Sequence, residues 1–182
     1  MNKNLPLYIY GSTIIFSGLF LLFSDNGIFE VIKFNMGIAF TAGAFFALIT
    51  ALSRQRKQVQ FVYHELHAFA MLVYAIALLF FCNSFEAMIS YTTFLLFFYT
   101  FSEIIFCYWL FNLLEKVVFR IVAIRFLLGF AVGVGTIAAM NYTEYALHVF
   151  GVLFILVGLN VLYYVPVIRT SRSIEISSQV LM

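Results

Sequence analysis

Charged residues are scarce in this sequence, where Asp, Glu, Lys and Arg together make up 10% of 182 residues. Soluble globular domains carry about 25% charged residues, so this composition excludes a domain whose whole surface faces water. With only two prolines and 64% hydrophobic residues, the chain is neither disordered nor collagen-like. A net charge of +2 is too small to suggest a nucleic-acid partner. The composition indicates an integral membrane protein with the lipid bilayer as its solvent.

Long runs without charged residues predict the membrane spans. A helix needs about 20 apolar residues to cross a hydrocarbon core about 30 Å thick. The runs predict six such helices, at residues 6–23, 29–53, 61–82, 86–113, 118–139 and 144–167. None of them alternates polar and apolar residues as barrel strands do. We therefore predict an all-α polytopic fold, with one transmembrane domain over residues 1–168 and a short cytoplasmic tail at 169–182.

Basic residues lie at alternate connections between the spans. Nine of the ten Lys and Arg residues fall before span one, around the connections 2–3 and 4–5, or after span six, and Lys33 is the exception. Because cytoplasmic loops are enriched in Lys and Arg, we expect both termini in the cytoplasm. The opposite turns carry Asp25, Glu30, Glu86 and Glu144, so that side is mildly acidic.

The acidic turns follow a regular pattern. Asn26, Asn83 and Asn141 recur after 57 and then 58 residues, and each is followed within four residues by a Glu: Glu30, Glu86 and Glu144. Small residues recur in step: Gly18, Ala75 and Gly133 before the Asn, then Gly37 and Ala44, Thr93 and Thr100, and Gly151 and Gly158 after the Glu. This period predicts three tandem helical hairpins, at about 6–53, 61–113 and 118–167, that pack through the small residues.

The Asn and Glu of these turns have a structural interpretation. An Asn side chain accepts hydrogen bonds from the exposed N–H groups at a helix start, and the helix dipole favours a carboxylate in the first turn. We therefore predict that Asn26, Asn83 and Asn141, each with its Glu, cap helices rather than catalyse a reaction.

Six spans in three hairpins, with short Asn-containing outer turns, small residues at helix contacts and basic inner loops, resemble the HdeD-like acid-resistance membrane proteins. The resemblance covers residues 5–168 and rests on helix arrangement and repeat rhythm. It implies an inner-membrane protein, in some members linked to survival in acid, and it implies no catalytic residues.

Glu103 and Arg125 are the charged residues placed deepest in the predicted spans. Glu103 follows Glu86 by seventeen residues, or about 25 Å along a helix, and Arg125 lies at a comparable depth in span five. We predict an ion pair between them, because an unpaired charge in lipid is costly. The pair either locks the helices together or lines a path for protons or a solute.

His64, Glu65 and His67 form a second polar group at the start of span three. Two histidines three residues apart share a helix face and could bind a metal or haem. The spacing is not that of zinc peptidases, and no third ligand is evident. We favour polar residues at the membrane interface and expect no cofactor and no metal.

His148 and the two cysteines complete the candidates. His148 follows Glu144 by four residues, so it either packs on a neighbouring helix or senses external pH. Cys82 and Cys107 are predicted at opposite ends of the spans and therefore as free thiols, since disulfide Cα atoms lie within about 7 Å.

These patterns leave three functional interpretations open. The first is a non-enzymatic membrane protein that supports the envelope under acid or other stress. The second is a small transporter or channel with Glu103 and Arg125 at its path, and the third is an enzyme acting on lipid at the group around His64. A second copy or another membrane protein as partner is also left open.

Overall fold

The computed structural model of the chain describes residues 5–25, 28–52, 58–113 and 116–163. These ranges contain six α-helices: α1 (Leu5–Leu22), α2 (Phe29–Leu52), α3 (Gln58–Ile76), α4 (Phe85–Leu113), α5 (Lys116–Asn141) and α6 (Ala146–Leu162). A π-helical turn, Ala77–Phe81, extends α3, and a 3₁₀ turn, Thr143–Tyr145, precedes α6. With these turns, all six are long and apolar enough to cross a membrane, and the described ranges contain no strand. The predicted all-α, six-span fold is confirmed.

The helix bounds differ from the predicted spans by a few residues. α3 begins at Gln58 rather than 61, and α5 extends past 118–139 at both ends. The predicted end of span six, at 164–167, and the tail at 169–182 lie outside the described residues, as does Asn26.

The helices tolerate Ser and Thr side chains because carbonyl groups of the same helix accept hydrogen bonds from their hydroxyl groups. Thr13, Ser17, Thr41 and Thr136 each donate a hydrogen bond of 2.7 to 3.0 Å to the carbonyl four residues earlier. In lipid no water replaces such a partner. These residues therefore interrupt neither the helices nor their apolar surfaces.

The six helices form a closed ring. Each helix packs on the next in sequence, and α6 packs on α1 in the most extensive contact of all. The two helices of each predicted hairpin pack less extensively on each other than one of them packs on a helix of another hairpin. The more extensive contacts are those of α2 with α3, α4 with α5, and α6 with α1. The threefold hairpin repeat therefore remains a prediction.

Neighbouring helices run antiparallel, so the ring has two distinct ends. We call the end where α1 is followed by α2, α3 by α4 and α5 by α6 the acidic end, and the end where α2 is followed by α3 and α4 by α5 the basic end. Which end faces the cytoplasm remains a prediction from the loop charges.

α1 and α6 touch through glycines. A Cβ atom built on Gly18 would lie 2.5 Å from the carbonyl oxygen of Gly151, and one built on Gly158 would lie 2.7 Å from that of Gly11. The two backbones are therefore in direct contact, with no space for a side chain between them. The prediction that Gly18, Gly151 and Gly158 lie at helix contacts is confirmed.

Aromatic side chains fill the centre of the six-helix ring, in the half nearer the acidic end. The Phe40 ring of α2 lies 4.9 Å from the Tyr74 ring of α3 and 5.0 Å from the Phe154 ring of α6, between centroids. Large apolar side chains also cover the outside, such as Phe16 and Phe94, which are 69% and 74% exposed. Helices that are apolar on all faces are typical of a protein surrounded by lipid.

The start of α4 shows a different cap from the predicted one. The hydroxyl oxygen of Ser84 accepts a hydrogen bond of 3.2 Å from the backbone N–H of Ala87. Ser84 directly precedes Phe85, the first residue of α4, so it occupies the capping position predicted for Asn83. The prediction for Asn83 was therefore wrong by one residue, while Glu86 does lie in the first turn of α4.

The turn before α6 also corrects a prediction. Asn141 is the last residue of α5, and its amide donates a hydrogen bond of 2.8 Å to the Ile137 carbonyl. It therefore closes the preceding helix instead of capping the next, because α5 runs further than predicted. Glu144 lies in the 3₁₀ turn, and Glu30 lies in the first turn of α2, where it pairs with Lys33 at 2.7 Å.

Candidate functional site

A charged pair lies inside the ring, towards the basic end. Nε of Arg125 donates to Oε1 of Glu103 at 2.8 Å, and Nη2 of Arg125 donates to Oε2 at 2.9 Å. Both side chains are completely buried, and among the residues whose burial is described they are the only buried Lys, Arg, Asp or Glu. The structure thus contains the predicted ion pair, in the bidentate geometry that gives the strongest charge-assisted hydrogen bonds.

Two further helices supply partners for this pair. Nη1 of Arg125 donates to the carbonyl of Asn160 in α6 at 3.0 Å, and Nη2 donates to the hydroxyl of Tyr63 in α3 at 3.0 Å. The Tyr63 hydroxyl in turn donates to Oε2 of Glu103. One guanidinium therefore connects α3, α4, α5 and α6.

The neighbouring side chains fit around the pair. The rings of Tyr63 and Phe106 stack with centroids 4.2 Å apart, and the Arg125 guanidinium carbon lies 5.7 and 5.4 Å from these two centroids. At Gly129 an added Cβ atom would lie 2.9 Å from Cγ of Glu103, so this glycine makes room for the carboxylate side chain. The Cys107 thiol donates weakly to Oε1 of Glu103 at 3.4 Å.

A second polar cluster lies beside the first. Ser102 gives its only hydroxyl proton to the carbonyl of Tyr99 at 2.8 Å, so its oxygen accepts from Nε2 of His67 at 2.7 Å. Nδ1 of His67 then accepts from the Tyr10 hydroxyl at 3.3 Å. The amide of Asn160 donates to the Tyr99 hydroxyl, which joins this cluster to the charged pair. We call the two clusters together the polar network.

The structure corrects the interpretation of the group around His64. His64 and His67 are 1% and 3% exposed, so both side chains face the interior of the ring and neither is available to lipid headgroups. They lie on the face of α3 that also carries Tyr63, whose side chain is buried as well. Glu65 is half-buried and borders a groove between α2 and α3. Nowhere in the described residues do three His, Cys, Asp or Glu side chains gather as metal ligands.

His148 lies on the outside of the ring at the acidic end. Both His148 and Glu144 are exposed, so neither is buried against a neighbouring helix. Sensing of external pH by His148 remains a prediction.

A small cavity adjoins the polar network. Its volume of about 20 Å³ is bordered by Tyr10, His67 and Tyr99 and otherwise by apolar side chains. This is space for about one water molecule. The side-chain oxygen of Asn160 is also buried, and it has no hydrogen-bond partner among the described residues.

Sequence reasoning found the two charges but missed most of their partners. Tyr63, Tyr99, Ser102 and Asn160 all carry hydrogen bonds of the polar network. Asn160 could have been found, because it is the only amide side chain in the apolar run of α6. The tyrosines gave no such signal, since tyrosines are also typical of membrane interfaces.

Comparison of the chain with protein-family models, with curated proteins and with solved structures found no match. The chain is a multi-pass membrane protein by the length and composition of its six helices. Any finer assignment depends on the contacts described above and on the resemblance in helix arrangement.

Cys82 provides a test of packing at the acidic end. Cys82 and Cys107 are both free thiols, as predicted. Burial raises the pKa of the Cys82 thiol, so less thiolate is present at neutral pH than for an exposed cysteine. In a Cys107→Ser chain we expect Cys82 to alkylate slowly at neutral pH and faster as the pH rises. Phe23→Cys in a chain without native cysteines is the exposed control, and equal rates at the two positions would contradict the described packing.

Proposed function

We propose that the protein is a non-enzymatic component of the cell membrane whose function depends on the rigidity of its six-helix ring. Like the HdeD-like proteins that it resembles in helix arrangement, it would support the envelope under acid or other stress. Its termini would lie in the cytoplasm, as the distribution of Lys and Arg suggests.

The observation that carries this proposal is the completeness of the charged pair. Glu103 and Arg125 neutralise each other, and Tyr63 and the Asn160 carbonyl occupy further positions around the guanidinium. A carrier site has to exchange such partners for solute or water, whereas a structural lock keeps them. The adjoining cavity of about 20 Å³ is also too small for a solute larger than water.

Survival in acid tests the proposal. Cells that lack the protein should survive acid exposure poorly, and the wild-type chain should restore survival. A chain with both Glu103→Leu and Arg125→Met, which has an apolar pair at the same place, should also restore it if it reaches the membrane in equal amount, because rigidity is retained. Normal survival of cells without the protein, under acid and under other envelope stresses, would contradict the proposal.

Transport of protons or a small solute is the second candidate. The observation in its favour is that hydrogen bonds join the charged pair through Asn160 and Tyr99 to a cavity with space for one water. Vesicles containing the purified chain and an internal pH dye would then show proton flux under an applied potential. Flux that the double substitution abolishes in a folded chain would favour transport over the structural role.

A further inference from the structure

An apolar groove runs between α4 and α5 on the outside of the ring, towards the basic end. Its volume is about 590 Å³, and the residues along it include Ile104, Tyr108, Phe111, Phe119, Ala123 and Leu127. The rings of Phe111 and Phe119 lie 5.5 Å apart between centroids, nearest the basic end. Since the groove opens to the outside of a membrane-spanning bundle, lipid chains are what surround it.

An exposed cation lies beside this groove. Arg120 follows Phe119, and it is seven residues, nearly two helical turns, before Leu127, so Arg120 and Leu127 lie along one line of α5. Span five is predicted to begin at residue 118, so we expect Arg120 at the level of the lipid headgroups. Within the described residues, Arg120 has neither an ion pair nor a hydrogen bond. Its charge is therefore available to an anion from outside the ring.

We propose that the α4–α5 groove binds an anionic phospholipid, with one acyl chain along the groove and the phosphate at Arg120. The apolar walls accept a chain of any lipid, so Arg120 provides the selectivity for negative charge. This inference is independent of the proposed function, since it involves the outer face of α4 and α5 and not the polar network.

The single tryptophan of the chain provides the readout for this proposal. Trp109 directly follows Tyr108 in the sequence, and Tyr108 is one of the residues along the groove. Brominated acyl chains quench tryptophan fluorescence on contact, so the purified chain is placed in phosphatidylcholine vesicles containing increasing amounts of brominated phosphatidylglycerol. Brominated phosphatidylcholine in parallel vesicles gives the baseline. We expect a preference of about fivefold for the anionic lipid, as one cation at a membrane surface provides.

Substitutions separate the headgroup from the groove. Arg120→Gln should remove the preference and Arg120→Lys should keep it, while Ala123→Phe should remove it by filling the groove. Lys33→Gln, which removes a cation at the acidic end, should leave it unchanged. Equal quenching by the two lipids in the wild-type chain, or an unchanged preference in Arg120→Gln, would overturn the proposal. A third result would assign the groove to a second copy of the chain. In that case the wild-type chain shows no lipid preference, fluorescently labelled copies show energy transfer to each other, and Ala123→Phe abolishes that transfer.

Discussion

Glu103→Gln should lower the free energy of unfolding by about 3–5 kcal/mol, because the substitution leaves a buried guanidinium without a counter-charge. Arg125 is completely buried, so water does not replace the lost carboxylate. Tyr63 would also lose the strong acceptor to which its hydroxyl donates. Denaturant unfolding in detergent micelles, followed by circular dichroism, measures the loss, and the helices should still insert into the membrane.

Two further variants make this prediction specific to the pair. Glu65→Gln removes a carboxylate that is only half-buried on α3, and it should change stability by no more than about 0.5 kcal/mol. Glu103→Leu combined with Arg125→Met removes both charges, and it should recover most of the stability lost in Glu103→Gln. If the double substitution is as unstable as Glu103→Gln, the unpaired charge is not the cause of the loss.

Gly18→Ala should separate α1 from α6 and cost about 1–3 kcal/mol of stability. Its Cβ atom would meet the Gly151 carbonyl oxygen at 2.5 Å, and a backbone atom cannot rotate away as a side chain can. Gly43→Ala is the matched control in α2. There the nearest atom to an added Cβ is the Met71 sulfur at 3.5 Å, which is ordinary van der Waals contact.

The control should be neutral or more stable than the wild-type chain, because alanine favours a helix over glycine by about 0.5–1 kcal/mol. Gly151→Ala adds a methyl group on α6 where it faces Gly18 of α1. Because either substitution alone separates the two helices, the double variant should lose less stability than the sum of the two single losses. Thermal unfolding of the four variants in one detergent measures these differences. Equal stability of Gly18→Ala and Gly43→Ala would mean that α1 and α6 are not in backbone contact.

The spans and the charged pair were predictable because lipid restricts the alternatives. A run such as residues 29–53 has to be helical in a bilayer, since only a helix satisfies its own backbone. A lone carboxylate at the depth of Glu103 needs a cation at the same depth, and Arg125 was the candidate. These arguments require only the sequence and the thickness of the membrane.

The neighbours of each helix were not predictable in the same way. Residues on every face of these helices are apolar, so the sequence does not show which face of α3 turns inward. His67 was therefore assigned to the interface, although it lies in the polar network. Glycines at intervals of seven residues mark the contact faces of α1 and α6, but only the structure shows that these two faces meet.

Access of water to the polar network tests the central claim most directly. Ser102→Cys, in a chain whose native cysteines are replaced, puts a thiol next to His67, and Tyr142→Cys puts one at a position that is 66% exposed. Both are treated with a charged, membrane-impermeant thiol reagent from each side of lipid vesicles. If the ring is a closed lock, Tyr142→Cys is labelled and Ser102→Cys reacts only after denaturation. Labelling of Ser102→Cys from one side of the folded protein would show a water-filled path and contradict the account.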